Sequence, residues 1–176
     1  AGYYKVIIML KYIILFILAY SPVHADETKL LAMIDYITRN SKYEYKDQTL
    51  PTVAIKTTEQ MCKELYIGEI PDPCYVAGYF NHESNEIFIA DKPLKSTNTR
   101  GFYDSVLLHE LVHFLQSING EFEKVSCRRE LEKDAFSIQD KYIDEFSLPE
   151  ELHNDPLFAL MASMCDMFDD WGAGGG

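Results

Sequence analysis

None of the four cysteines, Cys62, Cys74, Cys127 and Cys165, stands in a CxxC pair, so a zinc knuckle has no sequence to stand on. Positive charge is scarce as well. Sixteen lysines and arginines face 28 aspartates and glutamates, for a formal net charge of −12. That balance argues against nucleic acid or an anionic membrane surface as the main partner. No internal repeat and no second domain are visible. What is present is ordinary for a globular chain: 176 residues, 47% hydrophobic and 25% charged, enough for one domain with a real core.

The first 25 residues differ in kind from the rest. Lys5 and Lys11 flank or sit within an apolar run, YIILFILAY follows without a charge, and SPVHA carries Val23 and Ala25 at the spacing of a signal-peptidase site. These are the n-region, h-region and cleavage site of an export signal in the right order. MLKYIILFILAYSPVHA, from Met9, is a complete short signal by itself. The competing reading is an uncleaved membrane anchor, for which the uncharged stretch is short. We therefore expect a signal peptide over 1–25, a mature domain over 26–170, a low-complexity tail over 171–176, and a secreted or periplasmic location. Any membrane association would run only through an uncleaved signal segment. In an oxidising compartment an even cysteine count suggests two disulfides. Of the three possible pairings we favour Cys62–Cys74, which closes a short loop, and Cys127–Cys165, which would tie two late helices together. Four buried free thiols are the alternative.

The mature body reads as a small α+β unit. DETKLLAMIDYITRNS has apolar residues at 30, 31, 34 and 37, one helical face. TVAIKT alternates like a strand, and TTEQMCKELYIG looks like a short helix capped by Thr57 or Thr58. CYVAGYFN and NEIFIA form a hairpin around HES. The pattern then predicts helices from about Phe102 to the Asn119-Gly120 stop, from about Lys124 to Phe146, and over 155–168 with Pro156 in the first turn.

Chemistry concentrates in VLLHELVHFLQ. His109 and His113 lie four apart, hence on one helical face, where both can reach one tetrahedral Zn²⁺. Glu110 is rotated by roughly 100°, placed to act as general base on zinc-bound water rather than as a ligand. The neighbours Val106, Leu107, Leu108, Leu111, Val112, Phe114 and Leu115 describe a buried helix. Imidazoles and a carboxylate buried there need a partner, and a metal supplies it. The third ligand is expected downstream in RRELEKDAF. Glu130 and Asp134 are four apart, so Glu130 would complete two-His-one-Glu ligation while Asp134 accepts the N–H hydrogen bond of a histidine's far nitrogen and fixes its tautomer. Glu132 is the competitor. It sits among Arg128, Arg129 and Lys133 and reads as a solvated surface charge.

HELVH followed by ELEKDAF resembles the HExxH…ExxxD arrangement of gluzincins, the thermolysin-type and CaaX-protease-type zinc peptidases. The likeness covers roughly 102–140. The chain is also similar to small, exported, uncharacterised bacterial HExxH proteins with a cysteine just before the third-ligand motif, where Cys127 stands. The resemblance implies a zincin-like domain whose short antiparallel sheet packs on the active-site helix. It implies zinc held by His109, His113 and Glu130, with Asp134 behind a histidine. It also implies a sheet edge that pairs with extended substrate, for which NEIFIA, with Ile87, Phe88 and Ile89, is the candidate; simple sheet core is the plainer role. A downstream His or Tyr as oxyanion donor would fall to His153, Tyr142 or Tyr103. The expected activity is zinc-dependent hydrolysis of peptide or protein substrates. The alternatives are a secreted zinc protein that binds a partner or cell-wall component without turnover, and a hydrolase of a peptidoglycan amide.

Overall fold

A computed structural model of the chain describes residues 26–66, 68, 70–93 and 98–165; the expected signal segment 1–25 and the tail 171–176 lie outside the described residues. The body is α+β. In chain order it has α1 (Glu27–Asn40), β1 (Thr52–Lys56), α2 (Thr58–Leu65), β2 (Gly78–Asn81), β3 (Glu86–Ala90), α3 (Thr99–Ile118), a 3₁₀ turn (Arg128–Leu131), α4 (Glu132–Glu145), a second 3₁₀ turn (Glu150–Leu152) and α5 (Pro156–Ala162).

Helix α3 is the centre around which the rest is laid. Its sequence is apolar on every side, and residues from Val106 through Val112 are all buried, as expected of a helix enclosed by protein. Helix α1 packs on it through Leu30, Met33, Ile34 and Ile37. Asn98 caps its start by accepting from the Gly101 amide at 2.9 Å, one turn earlier than the apolar pattern predicts. Its end is a left-handed stop: Gly120 has φ +68°, and the Glu121 amide returns to the Gln116 carbonyl at 2.9 Å, the closure glycine permits. Asn119 then ties the helix end to the loop after α1, accepting from the Glu44 amide at 3.1 Å and donating to the Glu44 carbonyl at 2.8 Å. This tie fixes the neighbouring Tyr43 beneath α3.

The sheet has order β1-β3-β2. It is mixed rather than antiparallel: β1 runs parallel to β3, with Val53 opposite Ile87, and β2 runs antiparallel, with Phe80 opposite Ile87. Strand β3 is therefore central, and Ile87, Phe88, Ile89 and Ala90 are all buried. A strand paired on both sides has no free backbone to offer, so Ile87, Phe88 and Ile89 are sheet core and not the substrate edge expected of them. That edge is β2.

Two disulfides hold the periphery, Cys62–Cys74 and Cys127–Cys165, the favoured pairing. The single helix expected over 124–146 is instead broken. Turns occupy 122–127, the 3₁₀ turn follows, and α4 starts only at Glu132. This break decides which glutamate reaches the histidines.

Candidate metal centre

His109 and His113 come together as their spacing requires, with their Nε2 atoms 3.1 Å apart. The third group is Glu132. Its Oε2 lies 3.1 Å from His109 Nε2 and its Oε1 3.3 Å from His113 Nε2. Glu130 is elsewhere. It is exposed, accepts from the Ser126 amide at 3.1 Å, and has Oε1 3.4 Å from Cys165 Sγ. A cluster of Cys127, Glu130 and Cys165 lies there, but both sulfurs are spent in a disulfide and no thiolate remains to bind a metal. The expectation for Glu130 assumed one continuous helix. With residues 128–131 in a 3₁₀ turn, counting by helical faces from Glu130 fails, and the first residue of α4 takes the position.

The orientation of each imidazole is fixed from behind. His109 Nδ1 is 3.1 Å from Gln139 Oε1, and His113 Nδ1 is 2.8 Å from Gln116 Oε1. The Gln116 amide can point only one way, because its Nε2 donates to the Leu131 carbonyl at 2.9 Å, a group that only accepts. Its Oε1 therefore faces His113, and His113 Nδ1 must carry the proton. Asn154 does the same for Gln139: its Nδ2 donates to the Asp140 carboxylate at 3.2 Å and to Gln139 Oε1 at 3.0 Å. Both Nε2 atoms are thus turned inward, where they face each other and the Glu132 carboxylate. Three such groups converge favourably only with positive charge among them, supplied by a proton on His113 or by a metal ion. The spacing fits one. A tetrahedral ion with bonds of about 2.0–2.1 Å sets its ligand atoms roughly 3.3–3.4 Å apart.

Asp134 does not sit behind a histidine. It accepts from the Tyr43 hydroxyl at 2.6 Å, and that hydroxyl accepts from Gln116 Nε2 at 3.2 Å. Asp134 thus acts on His113 at two removes, because it is Gln116 that occupies the space beside the ring.

The charges answer to this packing. Burial pulls the His113 pKa down, but the Glu132 carboxylate outweighs it by charge and hydrogen bond, and His113 rises to about 9. Burial would raise Glu132, yet the two histidines hold it well below the usual carboxylate range. Glu110 is 5% exposed, and burial pushes its pKa up against the pull of His109 and His113. Its carboxylate accepts from the Phe80 amide and lies against Gly78, where an added Cβ would come within 3.2 Å of Glu110 Oε1. Because the Ala90 amide bonds the Ala77 carbonyl at 2.8 Å, alternation along the ladder turns Gly78 and Phe80 outward. The open edge of β2 is thus aimed at Glu110.

A family model described as a domain of unknown function (DUF6647) matches residues 23–170. The chain belongs to that family. No curated protein and no solved structure matches the chain.

Within this DUF6647 domain, the three residues named as oxyanion donors are engaged elsewhere. Tyr142 is buried against Tyr36 and Phe146. The Tyr103 hydroxyl donates to the Asp91 carbonyl at 2.7 Å. His153 lies between Asp140 and Asp144, 3.4 and 3.2 Å away. Sequence reasoning also missed Gln116, Gln139, Tyr43 and Asn154. Gln116, three residues after His113 on the same helix, was within reach of a helical-neighbour argument; the others arrive through tertiary contacts.

Proposed function

We propose that the chain is a zinc-dependent peptidase. The observation that carries this is the convergence of two Nε2 atoms and the Glu132 carboxylate, beside a buried glutamate one residue along α3. The N₂O donor set, two borderline imidazoles and a hard carboxylate, suits zinc, and three protein ligands would leave a fourth position open, as catalytic rather than structural sites do. When bound, such an ion supplies a Lewis acid and an activated water.

The remaining chemistry belongs to the chain. Glu110 is the general base: it takes the proton from the attacking water and returns it to the leaving amine. Burial raises its pKa toward neutrality, the direction this role needs. The Phe80 amide holds its carboxylate in place. Gly78, without a side chain, lets the strand approach, and the outward Gly78 peptide groups and Phe80 carbonyl would offer an extended substrate backbone hydrogen bonds on the side where Glu110 lies. Two disulfides favour an oxidising compartment, and no helix among the described residues is long and apolar enough to cross a membrane. The disulfides support action outside the cytoplasm.

Glu110→Gln is the direct test, read by zinc content together with casein and cell-wall-fragment hydrolysis. We expect zinc to be retained and hydrolysis to fall by at least about 100-fold. Hydrolysis equal to wild type, or none by either protein, would defeat the proposal.

A further inference from the structure

Glu130, which the fold withholds from the two histidines, is brought against a pair of sulfurs instead. Cys127 stands at the start of the 3₁₀ turn and Glu130 three residues on. Side chains at i and i+3 eclipse in such a turn, so both leave it on one side. The Glu130 amide closes the turn on the Cys127 carbonyl at 3.2 Å. Cys165, three residues past the end of α5, reaches the same spot. Its Sγ lies 3.4 Å from Glu130 Oε1, and one donor atom from each of the three residues falls within 4.8 Å of the others.

The Ser126 amide donates to Glu130 Oε1 at 3.1 Å and holds the carboxylate beside the sulfurs. In the oxidised protein that sulfur–oxygen contact is not a hydrogen bond. Cys127 and Cys165 share a disulfide, and a disulfide sulfur has no hydrogen to give. Among the described residues no basic side chain pairs with Glu130. The carboxylate is thus steered to a neighbour that cannot bond it.

These residues do not begin as a disulfide. Both sulfurs are thiols in a newly made chain, and two soft thiolates with one hard carboxylate suit zinc. Zinc bonds of about 2.3 Å to sulfur and 2.0–2.2 Å to oxygen set two sulfurs roughly 3.8 Å apart, and sulfur and oxygen roughly 3.5 Å apart. The oxygen already stands near that distance from Cys165. The sulfurs need only swing apart, since Cα atoms 5.8 Å from each other serve either link. The segment has use for one before oxidation, because α5 buries no residue of its own and little else secures its far end.

We propose that Cys127, Cys165 and Glu130 hold zinc in the folded chain before its disulfide closes. The ion joins the turn leading into Glu132 to the end of α5, the same two segments that the disulfide joins later. Each thiol gives up its proton on binding. When a disulfide oxidant arrives, the two thiolates are oxidised to the Cys127–Cys165 bond, the oxidant is reduced to two thiolates, and the zinc leaves. The site is independent of the peptidase reading.

The test has two arms. In the first, wild-type protein is reduced with a phosphine, freed of reductant without air, and given a thiol-alkylating reagent with or without zinc. Labelled cysteines are mapped by mass. Zinc should shield Cys127 and Cys165 and leave the reactivity of Cys62 and Cys74 unchanged. Shielding of neither, or of all four alike, overturns the proposal. The second arm titrates cobalt into the full chain carrying Cys62→Ser, Cys74→Ser and Glu132→Ala, which keeps one cysteine pair and lacks a ligand proposed for the histidine centre. Reduced, it should bind one cobalt ion with thiolate-to-cobalt charge-transfer absorption; oxidised, it should show none. Adding Glu130→Ala should weaken cobalt by about tenfold or more, and Cys127→Ser should remove the absorption. Absorption that survives Cys127→Ser, or an affinity unmoved by Glu130→Ala, also overturns the proposal. The wild-type arm holds whether or not the variants fold.

Discussion

Two glutamates two positions apart, Glu130 and Glu132, are separated by the fold into different environments, and substitution distinguishes them. Glu132→Ala is expected to abolish stoichiometric zinc binding, since it removes one of the three proposed ligands. Glu130→Ala should bind zinc like wild type, as its carboxylate meets only the Ser126 amide and a disulfide sulfur. Elemental analysis of the purified variants decides this, and equal zinc in Glu132→Ala and wild type would remove the site. Gln116→Ala and Gln139→Ala leave every ligand in place but free the imidazoles to turn. Each should weaken zinc about 10–100-fold in competition with a chelating indicator. His109, Glu110 and His113 were legible in the sequence because their relation is local: spacing of four on an apolar helix. Glu132 was not. Its neighbours Arg128, Arg129 and Lys133 made it look solvated, yet sequence proximity of charges does not say where a side chain points after a 3₁₀ turn. The ExxxD pattern also misdirected the reading, because the residue four beyond Glu132 is Phe136, which packs on the His109 ring with centroids 4.8 Å apart. The acceptor for that ring lies seven residues on, at Gln139.

Among the elements, β2 is the one whose position the site depends on most closely. A Cβ on Gly78 would fall 2.7 Å from Val106 Cγ1 and 2.8 Å from the Phe88 carbonyl oxygen, contacts that force either the strand or α3 to move. Gly78→Ala should cost about 1–3 kcal/mol, measured by urea unfolding. Hydrolysis should fall further than stability alone explains, because the displaced strand carries the Phe80 amide away from Glu110. Stability and activity both like wild type would show that the strand need not approach so closely. The periodic patterns of α1 and α3, the Thr57 cap of α2 and the hairpin of β2 and β3 were all readable, each being a short-range signal. Strand order was not. That β1 joins β3 in parallel, making NEIFIA central, depends on a crossover whose partner no local pattern names.

For the molecule as a whole, the three proposed ligands come from two helices, so an ion would bridge them and metal removal should be felt globally. Zinc present at about 1,000 times its Kd adds roughly 4 kcal/mol to the native state. Dialysis against a chelator should then lower Tm by on the order of 10–15 °C, restored on zinc addition; an unchanged Tm would mean that nothing of consequence is bound. The disulfide pairing was legible at this scale because short and long closure by sequence separation left a sensible choice. The network through Tyr43 and Asp134 was not, since it joins residues 91 apart.

The Leu131 carbonyl that orients Gln116 belongs to the peptide unit leading straight into Glu132. The second helix therefore cannot deliver its carboxylate without also setting the imidazole of the first. A nascent chain that has formed only α3 would hold two freely spinning histidines and little affinity for any ion. Loading should accordingly be a late and concerted event in folding, which shields a newly made chain from capturing the wrong metal while it is still incomplete.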